Sequence, residues 1–113
     1  MPFLVAVRDL VFRSKIQAAA ERLGVPVRIA SRAMPLSQAI RELGEGTVIA
    51  DLGEPGALDE IRGGKAAARV RVVGFLGHLE VELARAAQEA GVDEVLSRGQ
   101  FVQRLDDILR PSP

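Results

Sequence analysis

Short apolar runs alternate with stretches of helical periodicity along the whole chain, and this alternation restricts the fold more than any single motif does. Phe3–Val7, Val25–Ala30, Thr47–Ala50, Val70–Phe75 and Asp93–Ser97 read as strands. Four stretches carry apolar residues at helical spacing: Phe12, Ile16, Ala19, Ala20 and Leu23; Leu36, Ala39, Ile40 and Leu43; Leu79, Leu83, Ala87 and Ala90; and Phe101, Leu105, Ile108 and Leu109. Asp9 can cap the first of these helices, Pro35 suits the opening turn of the second, and Gly24, Gly44 and Gly91 stop the patterns. The stretch after Gly56 is weaker. A helix from Ala57 to about Ile61 meets Gly63-Gly64, and at about 1 kcal/mol per interior glycine the pair predicts an end or a bend, with Lys65–Ala68 adding a last turn.

No hairpin signal joins any two strands, so the sheet is expected to be parallel, with right-handed crossovers and helices on both faces. Five strands, each followed by a helix, suit the flavodoxin-like doubly wound α/β order 2-1-3-4-5, as one domain over residues 1–110 with a tail at 111–113. In that order the first and third strands are neighbours, and ligands of open α/β sheets sit beyond the carboxyl ends of the strands. The third strand runs straight into Asp51 and the loop Leu52-Gly53-Glu54-Pro55-Gly56. Asp51 then has two readings. It starts a turn or caps the next helix, as Asp often does; or it marks a site, with Arg8 and Asp9 beside it and Leu76, Gly77, His78, Ser97 and Arg98 along the same edge.

Composition removes most chemistry from that edge. The chain has no cysteine, which excludes disulfides, thiolate metal sites and cysteine nucleophiles. One histidine, His78, argues against a His-cluster metal site and a Ser-His-Asp triad; it reads as a loop residue before a helix. Fifteen basic residues balance fifteen acidic ones, and four Phe are the only aromatics, so neither a basic footprint nor a stacking platform for nucleic acid is present. No apolar run reaches the roughly 18 residues of a membrane span, and the N-terminus lacks the basic region of a signal peptide. A cytoplasmic protein without catalytic activity, nucleic-acid partner or membrane contact is expected. The Gly53–Gly56 loop is too short for a phosphate-cradling P-loop and has no Lys.

With Asp51 at the end of the third strand, Pro55 four residues on, and Ala87-Gln88-Glu89-Ala90-Gly91-Val92-Asp93 before the fifth, the chain resembles the receiver domains of response regulators over nearly its whole length. The resemblance implies an acidic pair after the first strand, a phosphate-accepting Asp after the third, a Thr or Ser after the fourth, a Lys before Pro after the fifth, and magnesium on the carboxylates. Asp51 stands at the acceptor position. The other positions depart from the pattern. Val7-Arg8 or Arg8-Asp9 replaces the acidic pair, Leu76 replaces the hydroxyl residue, Arg98 replaces the Lys, and Gly99 replaces the Pro. Asp9, Asp51, Arg8 and Arg98 sum to zero, where the family's three carboxylates and one Lys leave a net of minus two for the cation. An arginine near Asp51 would take its carboxylate in a bidentate pair, and it cannot withdraw by losing its proton.

The resulting expectation is a stand-alone pseudo-receiver, a regulatory or interaction module in signalling without cofactor or phosphotransfer. By the resemblance, its protein partner, or a second copy, would dock on the face of the fourth helix, fifth strand and fifth helix, where Val81 falls off the apolar stripe, or on the first helix, which offers Leu10-Val11-Phe12. The alternative is an atypical phosphate-accepting regulator in which Asp9 and Asp51, with or without Glu54, hold magnesium and Arg98 does the Lys job. A small anion bound between Arg8 and Arg98 is a third reading.

Overall fold

The structure is a computed structural model and describes residues 2–77 and 80–110. Strands and helices alternate: β1 (Phe3–Ala6), α1 (Leu10–Leu23), β2 (Val27–Ile29), α2 (Leu36–Leu43), β3 (Glu45–Asp51), α3 (Ala57–Lys65), β4 (Arg69–Leu76), α4 (Val81–Glu89), β5 (Glu94–Ser97) and α5 (Arg98–Leu109). The five strands form one parallel sheet in the order β2-β1-β3-β4-β5, as the alternation predicts.

Each sheet face supports its own core. Val5, Ile49, Val73 and Phe75 pack with Ile16, Ala19 and Ala20 of α1 and Phe101, Leu105 and Leu109 of α5. On the opposite face Leu4, Val48, Ala50 and Val72 pack with Ala39 and Ile40 of α2, Ile61 of α3 and Ala87 of α4. Successive strand residues point to opposite faces, so burial on both makes a strand continuously apolar. The polar starts of β3 and β4 escape such a pattern: Glu45 pairs with Arg69, and both lie outside the apolar runs. His78 and Leu79 lie outside the described residues, and α4 begins at Val81.

The glycine pair does not end α3, which continues through Gly63 and Gly64 to Lys65. Packing overrides propensity here. A Cβ on Gly64 would stand 2.7 Å from the Ile40 Cβ, so the missing side chain lets α3 approach α2. At Gly63 the nearest atom to such a Cβ is the Ser37 Cβ at 3.5 Å, an ordinary contact.

At the amino edge of the sheet, Lys65 at the end of α3 clasps the chain entering β5. Its Nζ donates to the Gly91 carbonyl at 2.6 Å and to Asp93 Oδ2 at 2.8 Å, and the same carboxylate oxygen accepts the Val72 N–H at 2.7 Å. Desolvation would raise the Asp93 pKa; the hydrogen bonds from Lys65 and Val72, with the charges of Lys65 and Arg71, outweigh it and lower it.

The two glycines have opposite expected responses in urea unfolding. Gly63→Ala raises stability by about 1 kcal/mol, the helix-propensity gain. Gly64→Ala lowers it by up to about 2 kcal/mol, the overpacking cost of about 1–3 kcal/mol less the same gain. Asp93 supplies a pH-dependent test. With its folded pKa below the unfolded value, its stabilisation is present above the unfolded pKa and is lost as pH falls through the folded one. Asp93→Asn should therefore be less stable than the parent near neutral pH, with the difference shrinking in acid, as measured by urea midpoints across that range.

Candidate functional site

Parallel strands bring the ends of β1, β3, β4 and β5 to one edge, with Asp51 level with Phe75 and Leu76 level with Ser97. Among the described residues Asp51 is the one buried charged side chain, 9% exposed. Its Oδ1 accepts the Gly53 N–H at 2.9 Å, closing the turn after β3, and its Oδ2 lies 4.0 Å from an Arg98 guanidinium nitrogen. The turn reading of Asp51 is thus met by one oxygen, and the other faces Arg98.

Asp9 follows β1 and caps α1, with Oδ1 accepting from Val11 N at 2.9 Å and Phe12 N at 3.2 Å. Its Oδ2 faces Arg98 at 3.7 Å. Arg98 is the first residue of α5, which follows β5 without a loop. Ser97 ends the strand and caps the helix, and Ser97 and Gln100 each accept the other's backbone N–H. The guanidinium carbon of Arg98 lies 5.0 Å from the Phe12 ring centre and 5.8 Å from that of Phe75. These rings pack with Phe101 into one cluster, centroids 4.8–6.2 Å apart, with Phe12 and Phe101 stacked and Phe75 tilted against both. Arg98 thus lies over aromatic rings with two carboxylates within 4.0 Å, an arrangement suited to a planar and weakly hydrated cation.

The other candidates are placed differently from expectation. Arg8 pairs at 3.8 Å with Glu54 of the β3–α3 loop, and no Arg8–Asp51 pair forms. Leu76 is not in a loop after β4. It is the last residue of that strand, 2% exposed, with its side chain in the core beside α4. Apolar burial places it there, and it offers no hydroxyl to the edge. Phe12 does not extend the apolar surface of α1, because its ring turns inward to Phe75 and Phe101; Leu10 and Val11 remain 65% and 64% exposed.

The magnesium implied by the resemblance does not fit this donor set. Asp9 and Asp51 each commit one oxygen to backbone N–H groups and turn the other toward Arg98, so the positive charge they face is already supplied. Among the described residues no group of three or more His, Cys, Asp or Glu is gathered to hold a metal ion. Sequence reasoning missed Phe12 and Phe75 as the rings under Arg98. The available signal was the scarcity of aromatics: of only four Phe, one opens the first helix and one ends the fourth apolar run.

Three solved structures of similar shape match almost end to end. A response regulator from Thermotoga maritima is 17% identical, with a TM-score of 0.73 over 96% of each chain. The beryllofluoride-activated NtrC4 receiver domain dimer is 21% identical, with a TM-score of 0.74 over 96% of this chain and 95% of that one. An orphan response regulator of H. pylori is 15% identical, with a TM-score of 0.70 over 97% of each. The chain has the receiver-domain fold. No protein-family model matches the sequence, and no curated protein matches it.

The Arg98 arrangement predicts a graded loss on substitution. Arg98→Met removes the cation from the rings and from both carboxylates and should cost about 1 kcal/mol, as expected for one partly exposed cation–π contact with loose ion pairs. Arg98→Lys, which keeps the charge and loses the plane, should fall between the two. Urea midpoints of the three proteins at one pH and salt concentration measure the order.

Proposed function

We propose that this receiver-like domain is a pseudo-receiver: a regulatory module in signalling that works through contact with a protein partner or a second copy, and that neither accepts a phosphoryl group nor catalyses a reaction. The observation that carries the reading is the placement of Arg98 between Asp9 and Asp51. Phosphoryl transfer onto a carboxylate needs charge neutralised at the entering group, usually by a divalent cation. Here the carboxylates that would hold that cation face a guanidinium, which stays protonated throughout the physiological range. Leu76 supplies no hydroxyl to report an added phosphoryl group, and its burial keeps its side chain in the core.

Contact with a protein is supported by large apolar side chains left in solvent on the helices flanking the edge: Leu10 and Val11 on α1, Val81 on α4 and Val102 on α5. Among the described residues no helix is long and apolar enough to cross a membrane. One structural neighbour is a receiver domain dimer.

Magnesium and beryllofluoride, titrated into isotope-labelled protein, test the site. The expected result is no change in the amide resonances of Asp51, Leu52 and Gly53 at millimolar magnesium. A saturable magnesium-dependent shift at these residues would instead establish an atypical phosphate acceptor using Asp9 and Asp51. A strictly monomeric protein in light scattering that also captures no protein partner would sink the interaction half of the proposal.

A further inference from the structure

Toward β2, on the side of Asp51 away from β5, the loops after β1, β2 and β3 enclose a cavity of about 430 Å³. That volume falls within the roughly 300–1,000 Å³ of small-molecule sites. Arg8 from the β1–α1 loop, Arg13 from the first turn of α1 and Arg32 from the β2–α2 loop line it, and Met34, Leu36 and Pro55 give it an apolar wall.

Three acids also line the cavity, and each is already engaged. Asp51 accepts from Gly53 and faces Arg98, Glu54 faces Arg8, and Glu60 Oε1 accepts from both Ser37 N at 3.1 Å and Ser37 Oγ at 3.0 Å. The lining sums to zero formal charge, but Arg98 from outside it takes a share of Asp51. Arg13 and Arg32 have no carboxylate partner among the described residues, and Arg13 is half-buried. Arg32 is exposed, and both guanidinium groups keep their charge and their planar donors free for an arriving anion. The first turn of α3 also meets the cavity at Gly56 and Ala57, and no side chain caps that helix.

The geometry points to a binding site for a small organic oxyanion, a phosphate or carboxylate on an apolar body, gripped by Arg13 and Arg32. Planar guanidinium groups match such oxyanions in bidentate fashion, and the Met34, Leu36 and Pro55 wall takes the apolar portion. Arg8 joins by leaving Glu54, a loose pair at 3.8 Å with Arg8 largely exposed. The proposal rests on Arg13 and Arg32 and not on whether Asp51, which also lines the cavity, accepts a phosphoryl group.

Amide resonances of the labelled protein, followed during titration with adenosine monophosphate, citrate or inorganic phosphate, test the site. Adenosine monophosphate or citrate should shift Arg13, Arg32, Gly56 and Ala57 and bind more tightly than inorganic phosphate; which of the two is preferred separates phosphate from carboxylate recognition. Arg13→Gln and Arg32→Gln should each weaken binding by about tenfold, the equivalent of one charge-assisted contact, while Arg110→Gln leaves it unchanged. The inference is overturned if none of the three anions shifts these residues at millimolar concentration. It is equally overturned if binding survives the double substitution, or if inorganic phosphate binds as tightly as both organic anions.

Discussion

Helices cover both faces of the sheet, and this constraint decides where charge can exist in the molecule. The backbone groups of β1, β3 and β4 are satisfied by neighbouring strands, and their side chains must be apolar on either side. A carboxylate in the body of such a strand would lose its hydration with nothing to replace it, a cost of several kcal/mol or a shift to the neutral form. Only the strand ends escape. Asp51, at the last position of β3, is buried and still has a backbone N–H on one oxygen and a cation facing the other.

That cation also joins elements that are distant in sequence. Arg98 leaves β5 at the first residue of α5, a position held by the reciprocal Ser97–Gln100 cap, and meets the ends of β1 and β3 through Asp9 and Asp51. Phe12 of α1 and Phe75 of β4 lie beneath it. Separate weak contacts, each worth about 1 kcal/mol or less, converge on one planar group. Lysine could supply the charge but not the flat face. The edge is thus built around an internal cation.

The strand–helix alternation made the fold legible, because burial on both sheet faces imposes continuous apolar strands and helices impose their own period. Asp9 as a cap was legible for a similar reason, since capping depends on neighbours two and three residues away. Features requiring contact between distant segments were not. The glycine pair in α3 looked like a helix end because nothing in the chain says that Ile40 lies 2.7 Å from where a Gly64 Cβ would be. Leu76 could be aligned with a switch residue by counting, but its inward rotation follows from the register of β4. Arg8 and Arg98 looked equivalent as partners for Asp51; the turn after β3 gave Arg8 a nearer acid in Glu54. Arg13 and Arg32 drew no notice because an unpartnered cation is defined by the absence of something in space.

The two halves of the carboxyl edge consequently differ in electrostatic character. Toward β5, Arg98 is matched by Asp9 and Asp51, and an arriving anion would have to displace carboxylates already in place. Toward β2, the acids are taken up by Ser37, Gly53 and Arg8, while Arg13 and Arg32 remain without acids of their own. A guanidinium placed between Asp9 and Asp51 therefore has a consequence on the far side of Asp51. It draws on the charge of Asp51, which also lines the cavity, and leaves that cavity more positive than its own residues would make it. A cation on one side of Asp51 thus favours anion capture at the site proposed on the other.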